Sequence, residues 1–125
     1  MTISEVSKKC DISPDTLRYY EKEGLLGDVN RTPGGVRDYT EQDCKQILFV
    51  KCMRSAGLSI DVLRTYFELF AQGKRTLKAR RDLLATEREH LQARLNEMQE
   101  TLARLDYKIS VYDKALASKD KELKF

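Results

Sequence analysis

Thr16, Arg18 and Tyr19 stand together in the run Asp15-Thr16-Leu17-Arg18-Tyr19-Tyr20, directly after Ser13 and Pro14. Ser13 before Pro14 reads as a helix N-cap with proline at the first helical position, which puts these side chains on the early turns of a helix. A hydroxyl, a guanidinium and a phenol there offer donors that reach base edges and phosphates in a major groove, and arginine is the commonest specific reader of guanine. The plainer alternative is a surface helix with two tyrosines packed on a core. Arg31 and Arg37 stand on either side of Thr32-Pro33-Gly34-Gly35, a stretch that reverses the chain, so both could reach a neighbouring minor groove or its phosphates from a hairpin.

The other reactive groups are three cysteines. Cys10, Cys44 and Cys52 form an odd set without close spacing, which fits a reducing cytosol and argues against a disulfide framework. At helical spacing the neighbours of Cys52 are Leu48, Phe49, Ser55 and Ala56, with Lys51 and Arg54 pointing elsewhere, so local geometry reads it as a core thiol whose pKa burial would raise. Cys44 is a rival, because the first turn of a helix favours a thiolate, although Glu41 and Asp43 oppose it. Cys10 reads as structural. A single histidine, His90, with no paired carboxylates on a shared face and no glycine-rich phosphate loop, leaves no catalytic set, so neither an enzyme nor a cofactor or metal site is expected.

The elements that must position these residues follow from caps and stops. Thr2 and Glu5 make a T-x-x-E capping box for a first helix ending near Cys10, and Gly24 stops the second helix that Ser13 opens. Only about three residues separate them, the tight turn of a helix-turn-helix. Val29-Asn30-Arg31 and Val36-Arg37-Asp38-Tyr39 then read as a two-stranded wing. Thr40 caps a third helix that ends at Gly57, and Ser59 caps a fourth that stops at Gly73, with Leu58 and Leu63 placed as a hydrophobic staple.

Beyond Gly73 no glycine or proline interrupts the chain, and Leu91, Leu95, Met98, Leu102, Leu105, Ile109, Tyr112 and Leu116 alternate by four and three. This is a heptad seam; extended back it reaches Leu84 and Leu77, although Arg81 and Arg88 interrupt it there. A helix from Thr76 to Ala117 is roughly 60 Å long at ~1.5 Å per residue, too long to fold onto the preceding head. Its seam needs a partner, and homodimerisation is expected, with parallel and antiparallel pairing both open. The predicted fold is therefore mainly α: a winged helix-turn-helix head with a small β-hairpin wing over 1–73, a coiled-coil dimerisation helix over 74–117, and a short polar tail over 118–125.

Bulk charge neither demands nor forbids a polyanion. Residues 1–73 hold ten Lys or Arg and eleven Asp or Glu, a net of −1, and residues 74–125 hold thirteen and nine, a net of +4, together the +3 of the chain. If the head binds DNA, it uses a few well-placed cations rather than a basic field. Thr2-Ile3-Ser4-Glu5 lacks the basic flank and apolar run of a secretory signal, and no stretch is apolar enough for a membrane span, so a cytoplasmic, nucleoid-associated place is expected.

The string Asp15-Thr16-Leu17-Arg18-Tyr19-Tyr20-Glu21-Lys22-Glu23-Gly24-Leu25-Leu26, followed by Arg31-Thr32-Pro33-Gly34-Gly35-Val36-Arg37-Asp38-Tyr39, resembles the head of the MerR family of transcription regulators. The resemblance implies an antiparallel coiled-coil dimer on a pseudo-palindromic promoter, where the activated dimer bends and untwists the DNA so that RNA polymerase engages both promoter elements. It puts Thr16, Arg18 and Tyr19 on recognition-helix positions and Tyr20, Arg37 and Tyr39 on backbone-contacting or supporting ones; Tyr20 packs in the core on the other reading. An architectural, excisionase-like protein shares such a head, but the long seam argues against it.

Family members that bind drugs carry a further domain after the coiled coil, and here about ten residues follow the seam. Members that sense soft metals place a cysteine pair beyond the dimerisation helix, but no cysteine follows Cys52. The segment Lys51-Cys52-Met53-Arg54-Ser55-Ala56-Gly57-Leu58-Ser59-Ile60 is similar to the subgroup linked to aldehyde, electrophile and nitrosative stress, in which a cysteine here is the proposed sensor. Cys52 is thus either a sensor thiol or a core thiol, and a regulator without cysteine-based sensing is the other reading.

Overall fold

The computed structural model describes residues 1–118. Its helices are α1 (Ile3–Cys10), α2 (Pro14–Lys22), α3 (Glu41–Ser55), α4 (Ile60–Ala71) and α5 (Leu77–Ala117). Each starts or stops where local chemistry dictates. Glu5 N donates to Thr2 Oγ1 and Thr2 N to Glu5 Oε1, both at 3.1 Å, closing the capping box of α1. Ser13 caps α2 and Ser59 caps α4, while Thr40 and Asp43 form a second capping box on α3. Gly24, at φ 80°, takes the left-handed turn after α2 that a side chain resists.

Two compact units result, dividing between Glu87 and Arg88. In the first, α1 to α4 enclose a small core: Val6 and Cys10 from α1, Leu17 and Tyr20 from α2, Cys44, Ile47 and Val50 from α3, and Leu63 from α4. Leu25, Leu26, Val29, Tyr39 and Leu58 complete it from the connections, so the pair read as a staple, Leu58 and Leu63, is buried. Lys51 Nζ donates to the carbonyls of Cys10 (3.0 Å) and Asp11 (2.7 Å), and so satisfies the C-terminus of α1 from α3.

The wing is smaller than the sequence suggests. Instead of two strands it holds one antiparallel bridge, Arg31 with Arg37, between the bonds Thr32 N to Val36 O and Asp38 N to Asn30 O, each 2.7 Å. The turn at Pro33-Gly34-Gly35 closes the ladder on one side, and on the other the returning arm leaves it at Tyr39, so one bridged pair remains. A third backbone bond, Tyr39 N to Met1 O at 2.8 Å, fastens the returning arm to the chain before α1.

Between α4 and α5, residues Lys74–Thr76 form a 3-10 turn. Thr76 is buried; its Oγ1 lies 2.6 Å from Leu69 O and 2.8 Å from Gly73 O and accepts from Arg80 Nε at 3.0 Å. The Arg80 guanidinium also sits 5.0 Å from the centre of the Phe70 ring. These contacts keep the first turns of α5 with the head, so compactness divides the chain later than Gly73, which follows the end of α4.

In the second unit α5 stands alone. No residue of α5 is buried, and the seam is open from Leu91, at 38% exposure, through Met98, at 68%, to Leu116 at 67%. Of the polar tail, only Ser118 falls within the described residues. No described helix is long and apolar enough to cross a membrane.

Candidate nucleic-acid interface

Helix α2 has two faces because its apolar residues recur at helical spacing. Leu17 and Tyr20, at 0% and 7% exposure, turn into the core, which leaves Arg18 and Tyr19 exposed and Thr16 partly so. Thr16 N donates to Ser13 Oγ at 3.1 Å, and the hydroxyls of Ser13 and Thr16 are 2.7 Å apart, so the first turn is locked. Arg18 Nη1 donates to Asp15 Oδ1 at 2.9 Å, one turn back on the same face. Both groups are well exposed, so the pair is worth little and orients Arg18 rather than sequestering it.

The wing stands beside the end of this helix, and its register decides where its cations go. The bonds flanking Arg31 and Arg37 make them a non-hydrogen-bonded antiparallel pair, which puts both side chains on one face of the hairpin. They converge on Glu21 of α2. Arg37 Nε donates to Glu21 Oε2 at 2.9 Å and its Nη2 lies 2.9 Å from the same oxygen, while Arg31 Nη2 is 3.8 Å from Oε1. Arg31 Nη1 also donates to Gly35 O at 3.2 Å, across the turn. The hydrogen bond that Arg37 donates to Glu21 holds its guanidinium even more firmly protonated than usual. Glu21 lies inside the motif quoted above, but nothing local in the sequence ties it to arginines ten and sixteen residues on.

Tyr20 and Tyr39 are core residues here, and burial pushes both phenols up. Tyr20 takes the core option left open by the sequence. Tyr39 is 2% exposed, and no described residue hydrogen-bonds its hydroxyl, so it stands inside the head rather than on a face open to DNA. Arg64 of α4 was not singled out by its sequence, yet it closes the far end of α2: its Nε donates to Glu23 O at 2.9 Å, and its guanidinium pairs with the Glu23 carboxylate and with Asp61. Its only sequence signal is the i,i+3 spacing to Asp61. Gln46 Nε2 donates to Leu25 O at 2.9 Å and fixes the next residues.

The thiols separate by exposure. Cys10 and Cys44 are buried side by side between α1 and α3, and burial, together with Cys10, pushes the Cys44 thiol up, against the thiolate character expected from its helix position. Cys52 is exposed in the single chain, contrary to the core position read from its neighbours. Ile47 marks the inward face of α3, and at ~100° per residue Cys52 lies about 140° from it, while Lys51 and Arg54 lie within about 40°. Those two reach inward carbonyls instead, Lys51 those of Cys10 and Asp11, and Arg54 that of Leu58 at 2.8 Å. Among the described residues no group of three or more His, Cys, Asp or Glu is placed to hold a metal ion.

Residues 1–69 match the family model for MerR HTH family regulatory proteins, and residues 44–107 match that of the MerR DNA-binding region. The HTH-type transcriptional regulator AdhR of Bacillus subtilis is 50% identical over 91 residues, spanning 73% of this chain and 65% of that protein. A crystal structure of a MerR family transcriptional regulator from Listeria monocytogenes superposes with a TM-score of 0.91 at 46% identity, covering 94% of this chain and 89% of that one. HiNmlR, a MerR family regulator lacking the sensor domain and bound to promoter DNA, gives a TM-score of 0.83 at 31% identity, over 93% and 92% of the two chains. The chain therefore belongs to the MerR family of helix-turn-helix DNA-binding transcription regulators, a family of regulators and not of enzymes.

Proposed function

We propose that this regulator acts as a homodimer that binds a pseudo-palindromic promoter site and changes transcription by distorting the DNA. The observation that carries this reading is one head presenting the open Thr16, Arg18 and Tyr19 face of α2 next to an arginine-bearing hairpin tied to the same helix. Thr16, Arg18 and Tyr19 address base edges and nearby phosphates; Arg31 and Arg37 address phosphates from the wing. Tyr20 and Tyr39 support these elements from within. The α5 seam, Leu91 to Leu116, pairs antiparallel with that of a second copy, so that two heads meet two half-sites. That a relative 31% identical is bound to promoter DNA supports the promoter-binding part of this reading.

Bending a site costs about 1–6 kcal/mol, which contacts by both heads offset, and RNA polymerase then meets promoter elements in altered alignment. The trigger is modification of Cys52. An aldehyde adding to its thiol forms a carbon–sulfur bond, and the thiol proton ends on the former carbonyl oxygen; other electrophiles or nitrosating agents act on the same sulfur. What supports Cys52 over Cys10 and Cys44 is its exposure. The work is done in the cytoplasm, on the nucleoid. Footprinting on the DNA beside the protein's own gene tests the core of the reading: two protected half-sites related by symmetry are expected, and protection of neither, or of one alone, overturns it. Promoter output from wild type and Cys52→Ser after exposure to a small aldehyde tests the trigger; an equal response in both removes Cys52 from the mechanism.

A further inference from the structure

We infer that Glu21 sets how strongly this protein distinguishes its site from other DNA, by holding both wing arginines against the recognition helix. The inference rests on the DNA-binding role proposed above for the wing. Arg31 and Arg37 are directly opposed like charges on one face of a hairpin that has a single bridge. Such a pair repels, and a hairpin this short does not hold its shape alone. Each oxygen of the Glu21 carboxylate faces one of the arginines, at 2.9 Å for Arg37 and 3.8 Å for Arg31. Glu21 is also the least exposed of the three, with 19% of its side chain open, against 25% for Arg37 and 47% for Arg31.

Two consequences follow for DNA. First, the carboxylate fixes the distance between α2 and the wing, so both meet the duplex only where groove width and bend match that spacing, which is shape readout. Second, any phosphate must draw the arginines from Glu21. On an arbitrary duplex only the loosely held Arg31 is drawn, whereas a site that fits α2 brings phosphates close enough for both. Glu21 thus suppresses binding to random sequence more than binding to the cognate site. It is a positioning residue, since it acts through Arg31 and Arg37 and touches no DNA itself.

The test compares wild type, Glu21→Gln and Glu21→Asp on two duplexes, one selected by the wild-type dimer from a random pool and the other its scrambled counterpart. Glu21→Gln keeps the shape and removes the charge. Binding to the scrambled duplex is expected to strengthen, and the ratio of selected to scrambled affinity to fall at least fivefold. Each released arginine also steepens the loss of affinity between ~50 mM and ~200 mM salt by about 3.5-fold, from a slope of ~0.9 per phosphate contact. Glu21→Asp, whose shorter arm holds one arginine at most, is expected to fall between. A purely structural role would move the melting temperature but neither the ratio nor the salt slope. If Glu21→Gln is unfolded at the assay temperature, Glu21→Asp decides, and a wild-type ratio and slope there overturn the inference. Arg31→Gln/Arg37→Gln with Glu21 intact separates the two levels. If it binds the selected duplex like wild type, the wing does not touch DNA and the underlying reading fails. If it weakens binding while Glu21→Gln changes nothing, the inference about Glu21 alone fails.

Discussion

Leu102→Asp is the sharpest test of the proposed dimer, because the wild-type side chain has nothing to do in a single chain. Leu102 sits beside the midpoint of the seam between Leu91 and Leu116 and is 59% exposed. Antiparallel pairing brings the two copies close to the symmetry axis and covers that surface. Full burial of a leucine is worth about 1.5–3 kcal/mol, so covering 59% of it contributes roughly 0.9–1.8 kcal/mol per chain and about twice that per dimer. Two aspartates near one another in the seam add desolvation and like-charge repulsion, which raises the cost by on the order of a further 1–3 kcal/mol. The sum, at least ~3 kcal/mol, raises the dimer dissociation constant by more than about 100-fold. Sedimentation velocity across a micromolar concentration range reads this directly. The variant should run as a folded monomer with an intact head and lose site-specific DNA binding, since two half-sites need two heads. A dimer of wild-type strength refutes the assignment of this stripe as the interface.

Arg18→Ala should leave the melting temperature unchanged and cost about 1–3 kcal/mol of discrimination at one base position in each half-site, read as relative affinities on single-base variants of the selected duplex; uniform weakening at every position would show that Arg18 holds a phosphate. Brief alkylation of the native protein followed by peptide mass spectrometry should label Cys52, with Cys10 and Cys44 modified only after denaturant is added. Label at Cys44 under native conditions contradicts its burial. Tyr39→Phe removes a buried hydroxyl that no described residue satisfies, an arrangement that costs about 1–3 kcal/mol, so the variant should unfold at higher denaturant than wild type. A lower midpoint would mean that the hydroxyl has a partner in solution.

The helices were legible because their ends are local events. Thr2 with Glu5, Ser13 with Pro14, Thr40 and Ser59 announce helix starts within four residues of chain, and all four cap as read. The length of α5 is legible for a related reason, since no glycine or proline interrupts it from Leu77 to Ala117. What escaped was non-local or angular. Cys52 was placed among core neighbours by i,i+3 and i,i+4 contacts alone, which do not say which way a face points; Cys44, Ile47 and Val50 set that direction. Lys51 and Arg54 point away from Cys52, as their spacing implies, and their long stems let them lie on the inward side while their charged ends reach the carbonyls of Cys10, Asp11 and Leu58. The composition of the wing suits two strands, whereas the turn on one side and the bond of Tyr39 to Met1 on the other leave one bridge. Glu21 was invisible as a clamp because a carboxylate gives no sequence sign of a cation that folding will bring to it.

The single-bridge hairpin also bears on how such a regulator diverges. Thr32 to Val36 are all exposed, and a methyl group added at Gly34 would meet only the Thr32 hydroxyl, at 3.8 Å. Gly35 is the exception, since its φ of 83° strains any other residue. Thr32 is also held, its Oγ1 accepting from Val36 N at 3.2 Å, so duplicated copies of the gene are freest to vary at Pro33, Gly34 and the Val36 side chain, while the residues that build the head stay under constraint. If the wing meets DNA as proposed, this tip alters how the two arginines approach the phosphates without touching the core, which makes it the place for a library that asks how far the wing shapes promoter choice.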